Sequence, residues 1–198
     1  MKTEWKIAIG LMSFYALFVS ATPAPLLASA QHQAFWQKVS ALCGQAYEGK
    51  IVKDTDGDTF VGKKLIMHVR KCSGREIQIP FHIGEDASRT WILTNTGAGI
   101  MLKHDHRNPD GSYHPTTMYG GHTVAAGWPQ MQSFPADPYS QQLFMTQGLP
   151  GSVDNVWQML IYPTVFSYRL VRAAREFQVD FDLSQPVSPP EAPWGYEN

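Results

Sequence analysis

From residue 46 to residue 182, apolar and polar side chains exchange places every second position, in one short run after another. This pattern constrains the fold more than any other feature. Successive side chains of an extended strand point to opposite faces, so a run with one apolar and one polar face reads as a half-buried strand. Lys63–Lys71 sets Leu65, Met67 and Val69 against Lys64, His68 and Arg70. Arg75–Phe81 places Ile77, Ile79 and Phe81 on one face; Pro80, which lacks a donor, sits on the other and marks a strand end, an edge or a bulge. Arg89–Asn95 sets Trp91 and Leu93 against Thr90, Ile92 and Thr94. Val165–Arg172 sets Phe166, Tyr168 and Leu170 against Ser167, Arg169 and Val171, and Phe177, Val179 and Phe181 alternate with Glu176, Gln178, Asp180 and Asp182. Ala46–Asp54 is a further strand, Thr116–Tyr119 and Met131–Phe134 are short ones, and Val156–Ile161 is apolar enough to be covered on both faces.

Turn residues punctuate these runs at Asp54–Asp58, Ser73-Gly74, Thr96–Gly99, Asn108–Gly111 and Ala173-Ala174. Asp54–Asp58 resembles half of a calcium loop without the rest of its pattern or its closing Glu, and reads as a turn. Eight to ten strands, short turns and no βαβ alternation predict an all-β fold, an antiparallel up-and-down meander closed into a barrel. A flattened sandwich or jelly roll is the alternative. Residues 31–43 carry Phe35, Trp36, Val39 and Leu42 at helical spacing and end at Gly44, which predicts a short N-terminal helix over one end of the barrel. Residues 122–154, with Pro129, Pro135, Pro138 and Pro150, are the least regular part; Tyr139–Gln147 reads as a short helix, and the excursion as a lid or functional loop.

The first thirty residues read as a secretory signal peptide. Lys2 and Lys6 start it, Ile7–Val19 is apolar without charge, and Ala28-Ser29-Ala30 is a small-x-small cleavage site, with cleavage after Ala30. The apolar run is short of the roughly 20 residues that a spanning helix needs. Residues 31–185 then form a single barrel domain and 186–198 a Pro-rich extended tail. The expected location is secreted or periplasmic. In such an oxidising compartment the only two cysteines, Cys43 and Cys72, are expected to form a structural disulfide. With 16 basic and 17 acidic residues, no basic excess points to nucleic acid.

The densest polar chemistry lies between Gly97 and Gly121. Ile100, Leu102, His104 and His106 share one strand face, so two imidazoles continue an apolar face toward the mouth of a β-structure. Two such histidines can ligate a divalent metal with a third ligand from His82, Glu85, Asp86, His114 or His122. They can equally be hydrogen-bonded polar residues at a strand end. A cupin-type His-x-His needs other spacing on both sides than Gly99 and Arg107–Asp110 provide. Glu85-Asp86-x-x-Arg89 is either an acid/base set or a loop with a surface ion pair. Arg89, facing inward with Trp91, either clamps a carboxylate or phosphate or stacks on a barrel-closing aromatic.

Leu42-Cys43-Gly44-Gln45-Ala46-Tyr47-Glu48-Gly49 after a helix, with the hairpin meander that follows, resembles the opening of the calycin group, the lipocalin-like and nitrobindin-like barrels; Tyr47 stands one step from the place of the group's Trp. The run from Leu102 to Gly111 with Thr117–Gly121 looks like an uncharacterised family of secreted bacterial proteins. The calycin resemblance implies a barrel of eight to ten strands binding a small, mostly apolar ligand, with His104, His106, Arg89, Trp91 and Tyr119 as contacts. No cofactor is assured; a divalent metal on His104 and His106 belongs to the second reading, an enzyme working from the barrel mouth with Glu85 or Asp86 as base. A third reading is an envelope-interaction protein with a filled barrel.

Overall fold

The computed structural model describes residues 23–197; the proposed basic start and apolar run of the signal peptide lie outside the described residues. Helix α1 (Ala30–Ser40) comes first. Strands β1 (Ala46–Asp54), β2 (Leu65–His68), β3 (Lys71–Cys72), β4 (Glu76–Ile83), β5 (Asp86–Asn95), β6 (Ile100–His106), β7 (Tyr119–His122) and β8 (Met131–Pro135) follow. After helix α2 (Pro138–Thr146) and a 3-10 turn, β9 (Val156–Ile161), β10 (Val165–Arg172) and β11 (Arg175–Val187) complete the chain. All strands join one antiparallel sheet in the order β7-β6-β5-β4-β2-β1-β11-β10-β9-β8, with β3 paired to β4 beside this path. The two end strands come together, so the sheet is a nearly closed barrel, compatible with a calycin-like fold.

The closure depends on Gly120 and Gly121. A Cβ on Gly121 would stand 1.7 Å from the Pro135 carbonyl oxygen, and one on Gly120 would stand 1.9 Å from that of Leu102. Only glycines let these backbones approach so closely. Asp137 N–H then donates to Gly120 O at 2.9 Å, and the Ser140 hydroxyl accepts from Gly120 N–H and donates to Gly120 O. Asp137 also caps α2 through Ser140 N–H and meets Lys103 Nζ on β6 at 2.5 Å. The Pro-rich excursion is therefore largely barrel wall and seam, supplying β8 and α2, where the sequence suggested a lid. The Gly-Gly pair, expected to follow a strand at Thr116–Tyr119, lies inside β7 instead. Met118, at φ 55°, turns the chain immediately before it.

Two further runs differ from expectation. Lys63–Lys71 is broken, because Val69 bonds to the backbone of Gly44 and Gln45 ahead of β1, and the strand resumes only as β3. Val156–Ile161 buries Trp157, Met159 and Ile161 inward but leaves Val156, Gln158 and Leu160 half exposed, so it is a one-sided strand. The disulfide Cys43–Cys72 ties the α1–β1 junction to β3, with a sequence separation of 29. Closing a loop of that size stabilises by about 3–4 kcal/mol in the chain-entropy model.

Side chains fill the barrel. Trp91, Trp157, Phe134, Phe166, Phe181 and Met67 are among the largest fully buried groups. Phe81 stacks on Trp91 at 4.9 Å between centroids, and Trp91 on Tyr168 at 4.3 Å. Helix α1 closes one end with His32, Phe35, Trp36 and Val39, its N-terminus capped by Ser29. The segment before α1 also packs on the barrel: Leu27 is buried, Ala28 N–H donates to Gly97 O, and Asn95 Nδ2 donates to Pro25 O. At the other end of the chain the tail crosses the outer face of β5 and β6. There Trp194 N–H donates to Ala87 O and the Tyr196 hydroxyl donates to Asp105 at 2.6 Å. Asp105 is 2% exposed and also receives Arg107 Nε.

Gly121→Ala should destabilise by about 3 kcal/mol, since backbone must shift to admit the methyl group; a free energy of urea unfolding within about 0.5 kcal/mol of wild type, about the noise of such a comparison, would mean that the seam is open. Chains beginning at Pro23 and at Gln31 provide a second check. The shorter one loses Leu27 burial and the Ser29 cap and should be less stable by roughly 2–4 kcal/mol.

Candidate functional site

The register of three strands assembles the polar end of the barrel. Arg89 pairs with His106, Trp91 with His104, and His104 with Tyr119. All five residues singled out in the sequence therefore stand together, on inward positions of β5, β6 and β7. Arg89 and His106 occupy the outermost rung, while His104 and Trp91 lie one rung deeper.

His104 is enclosed. Its Nδ1 lies 3.1 Å from Tyr119 O and its Nε2 2.7 Å from the Tyr168 hydroxyl. A carbonyl can only accept, so Nδ1 carries the proton and Nε2 accepts from the phenol. The ring stacks on Tyr119 at 4.6 Å and lies 5.0 Å from Trp157. Burial, with Lys103, Arg89 and His106 nearby, outweighs the Tyr119 carbonyl and holds its pKa down at about 3. Burial likewise raises the Tyr168 phenol. With both nitrogens engaged, His104 is a neutral polar member of the aromatic core. Among the described residues, no group of three His, Cys, Asp or Glu is arranged to hold a metal ion.

His106 is half-buried, its ring 4.4 Å from that of His114. Burial first, then Arg89 and His114, lowers its pKa to about 4. Of the remaining candidates for a third ligand, His122 is at the opposite end, hydrogen-bonded to Thr96 at 2.7 Å. His82 is buried on β4, with Nε2 unpartnered among the described residues.

Arg89 stands at this mouth with its side chain 25% exposed. Nη1 donates to Asp86 at 2.5 Å and to Ser88 at 2.9 Å. The ion pair suggested by Glu85-Asp86-x-x-Arg89 is thus made by Asp86, while Glu85 is exposed. Nε and Nη2 have no hydrogen-bond partner among the described residues, which leaves open the fork edge that takes a carboxylate bidentately. The guanidinium also lies 5.8 Å from the Phe60 ring, whose edge packs on Phe81 and Phe177 across the barrel end. Of the two alternatives, the contact with an aromatic ring at the barrel end is the one present. The Arg89 contacts Phe60 and Asp86 also line an open hollow of about 480 Å3, together with Val61, Ile83, Lys63, Asp58 and Glu85.

Sequence reasoning missed Tyr168 as the partner of His104 and Phe60 as the ring against Arg89. The inward face of Tyr168 was legible from its alternation, but its partner lies 64 residues away. Phe60, in a loop at φ 57°, carried no signal. No protein-family model, curated protein or solved structure matches the chain.

His104 and His106, whose pKa values are the most strongly lowered, make the fold acid-sensitive. Their ordinary value is 6.5, so below about 6.5 the unfolded chain takes up protons that the folded chain refuses. Stability is complete above that value and is lost as pH falls toward about 4 and about 3. His104→Gln removes one of these groups. Between about pH 7 and about pH 4.5, wild type should lose about 2 kcal/mol more than the variant in urea unfolding; equal losses would show that His104 is protonated in the fold.

Proposed function

We propose that the protein is a non-catalytic binder of a small, mostly apolar ligand with a single carboxylate head, exported from the cell and built on a lipocalin-like plan with its site at the mouth. The observation that carries this reading is the Nε–Nη2 edge of the partly exposed Arg89, which has no hydrogen-bond partner among the described residues, on an otherwise apolar inward face. Neutral His106 stands beside it as a hydrogen-bonding group that adds no competing charge. The packed interior leaves no lumen of lipocalin type around Trp91 and His104, so the apolar body of the ligand would lie along Phe60, Val61 and Ile83. Asp58 and Glu85 on the rim disfavour a multiply charged anion, which limits the head to one charge.

The dense interior also favours a second reading, an envelope-interaction protein whose barrel is only a scaffold. Displacement of a fluorescent dansyl-undecanoate from the disulfide-bonded protein separates the two. Dodecanoate should compete and dodecanol should not. Arg89→Met, and also Arg89→Lys, which keeps the charge but loses the fork, should each weaken binding about tenfold or more. Failure of the probe to bind, or equal competition by dodecanol, would remove the ligand reading and leave the scaffold.

A further inference from the structure

Cleavage after Ala30 would remove residues that the fold uses. Ala24–Ser29 form an arm that crosses two hairpin turns before α1 begins. At the β3–β4 turn a Cβ on Gly74 would stand 2.9 Å from the Cβ of Ala24, and at the β5–β6 turn one on Gly97 would stand 3.3 Å from the Cβ of Pro25. Glycine at both turns lets the arm lie against them. The arm is also held by hydrogen bonds from the barrel and from α1. Buried Asn95 donates through Nδ2 to Pro25 O at 2.7 Å as well as to Gly74 O at 3.0 Å. Ala28 N–H donates to Gly97 O at 2.9 Å, and Gln33 Nε2 donates to Leu27 O at 2.5 Å. The Leu27 side chain is buried in the core.

The bond between Ala30 and Gln31 lies in the first turn of α1. A cut there would take away Ser29, whose hydroxyl caps the helix by accepting from His32 N–H and whose carbonyl accepts from Gln33 N–H. It would also leave a new α-ammonium in that turn, where the free N–H groups already carry positive partial charge. The helix would lose its cap and gain a repulsive charge at one point, while Gly97 O, Asn95 and Gln33 each lost a partner. A site further upstream removes none of these contacts. Val19-Ser20-Ala21 places a small residue before the bond to Thr22 and ends the apolar run directly; Ala28-Ser29-Ala30 stands nine residues further on, beyond Pro23 and Pro25.

We infer that export cleavage falls between Ala21 and Thr22, and that Ala24–Ser29 stay on the mature protein as a permanent arm sealing the α1 end. A signal peptidase would add water across the Ala21–Thr22 amide; Ala21 leaves as a carboxylate, and Thr22 becomes the α-ammonium terminus, eight residues ahead of α1. The inference rests on the exported reading above and not on any ligand at the mouth. Expression of the full chain, with intact-mass measurement and N-terminal sequencing of the product recovered outside the cytoplasm, is the test. The mass should correspond to loss of residues 1–21, with Thr22 first. Ala30→Leu should give the same product, because Ala30 is exposed at the start of α1 and leucine is a good helix former there. Ala21→Leu should lose the processing. Gln31 as the first residue, or processing that Ala30→Leu blocks and Ala21→Leu does not, would overturn the inference and leave the exported reading standing. An uncut wild-type chain would overturn it too, and one confined to the cytoplasm would overturn the exported reading with it.

Discussion

The hydrogen bond from the Tyr168 hydroxyl to His104 holds the interior together. A histidine buried among Trp91, Trp157 and Tyr119 would be costly with either nitrogen unsatisfied, by about 1–3 kcal/mol for each lost partner. Tyr168 satisfies one nitrogen from the opposite wall, and the Tyr119 carbonyl satisfies the other from the neighbouring strand. The bond therefore links β10 to β6 and β7 across the barrel and fixes the imidazole in its neutral form. Because His104 is neutral and enclosed, the aromatic column from Phe81 through Trp91 to Tyr168 can pack without a buried charge.

That packing assigns the rest of the molecule its roles. A filled interior cannot also be a deep ligand cavity, so the proposed ligand contacts stand one rung outward, at Arg89 and His106. The seam at Gly120-Gly121 determines how far the sheet must curl for the column to close, and α2 locks the seam through Asp137 and Ser140. The opposite end is sealed by α1 and by the segment from Pro25 to Ser29. One end is thus open, with Asp58, Lys63, Glu85 and Asp86 around its hollow, and the other is plugged by α1.

The strands were legible because a half-buried strand must alternate, and β1, β5, β6 and β10 do so over six or more residues. The inward set Arg89, Trp91, His104 and His106 followed from the same period. Closure was not legible. Gly120 and Gly121 look like a loop signal, and only their contact with Pro135 shows that they are needed for close approach. The Pro-rich stretch read as an excursion because its proline positions suit seams and caps as well as loops. The enclosure of His104 depended on a partner from β10, and the burial of Asp105 on Tyr196 from the tail. Register between such distant segments is fixed by the whole sheet, not by either segment.

The central claim is that His104 is a neutral, doubly hydrogen-bonded core residue and not a free ligand at the mouth. Nitrogen-15 NMR of the histidine rings, with His104 assigned by comparison with His104→Gln, tests it directly. At about pH 5 the account predicts a neutral His104 ring, protonated on Nδ1 with Nε2 bare. A cationic ring at that pH, or the proton on Nε2, would contradict it and would return both histidines to the set of groups available to a ligand or a metal.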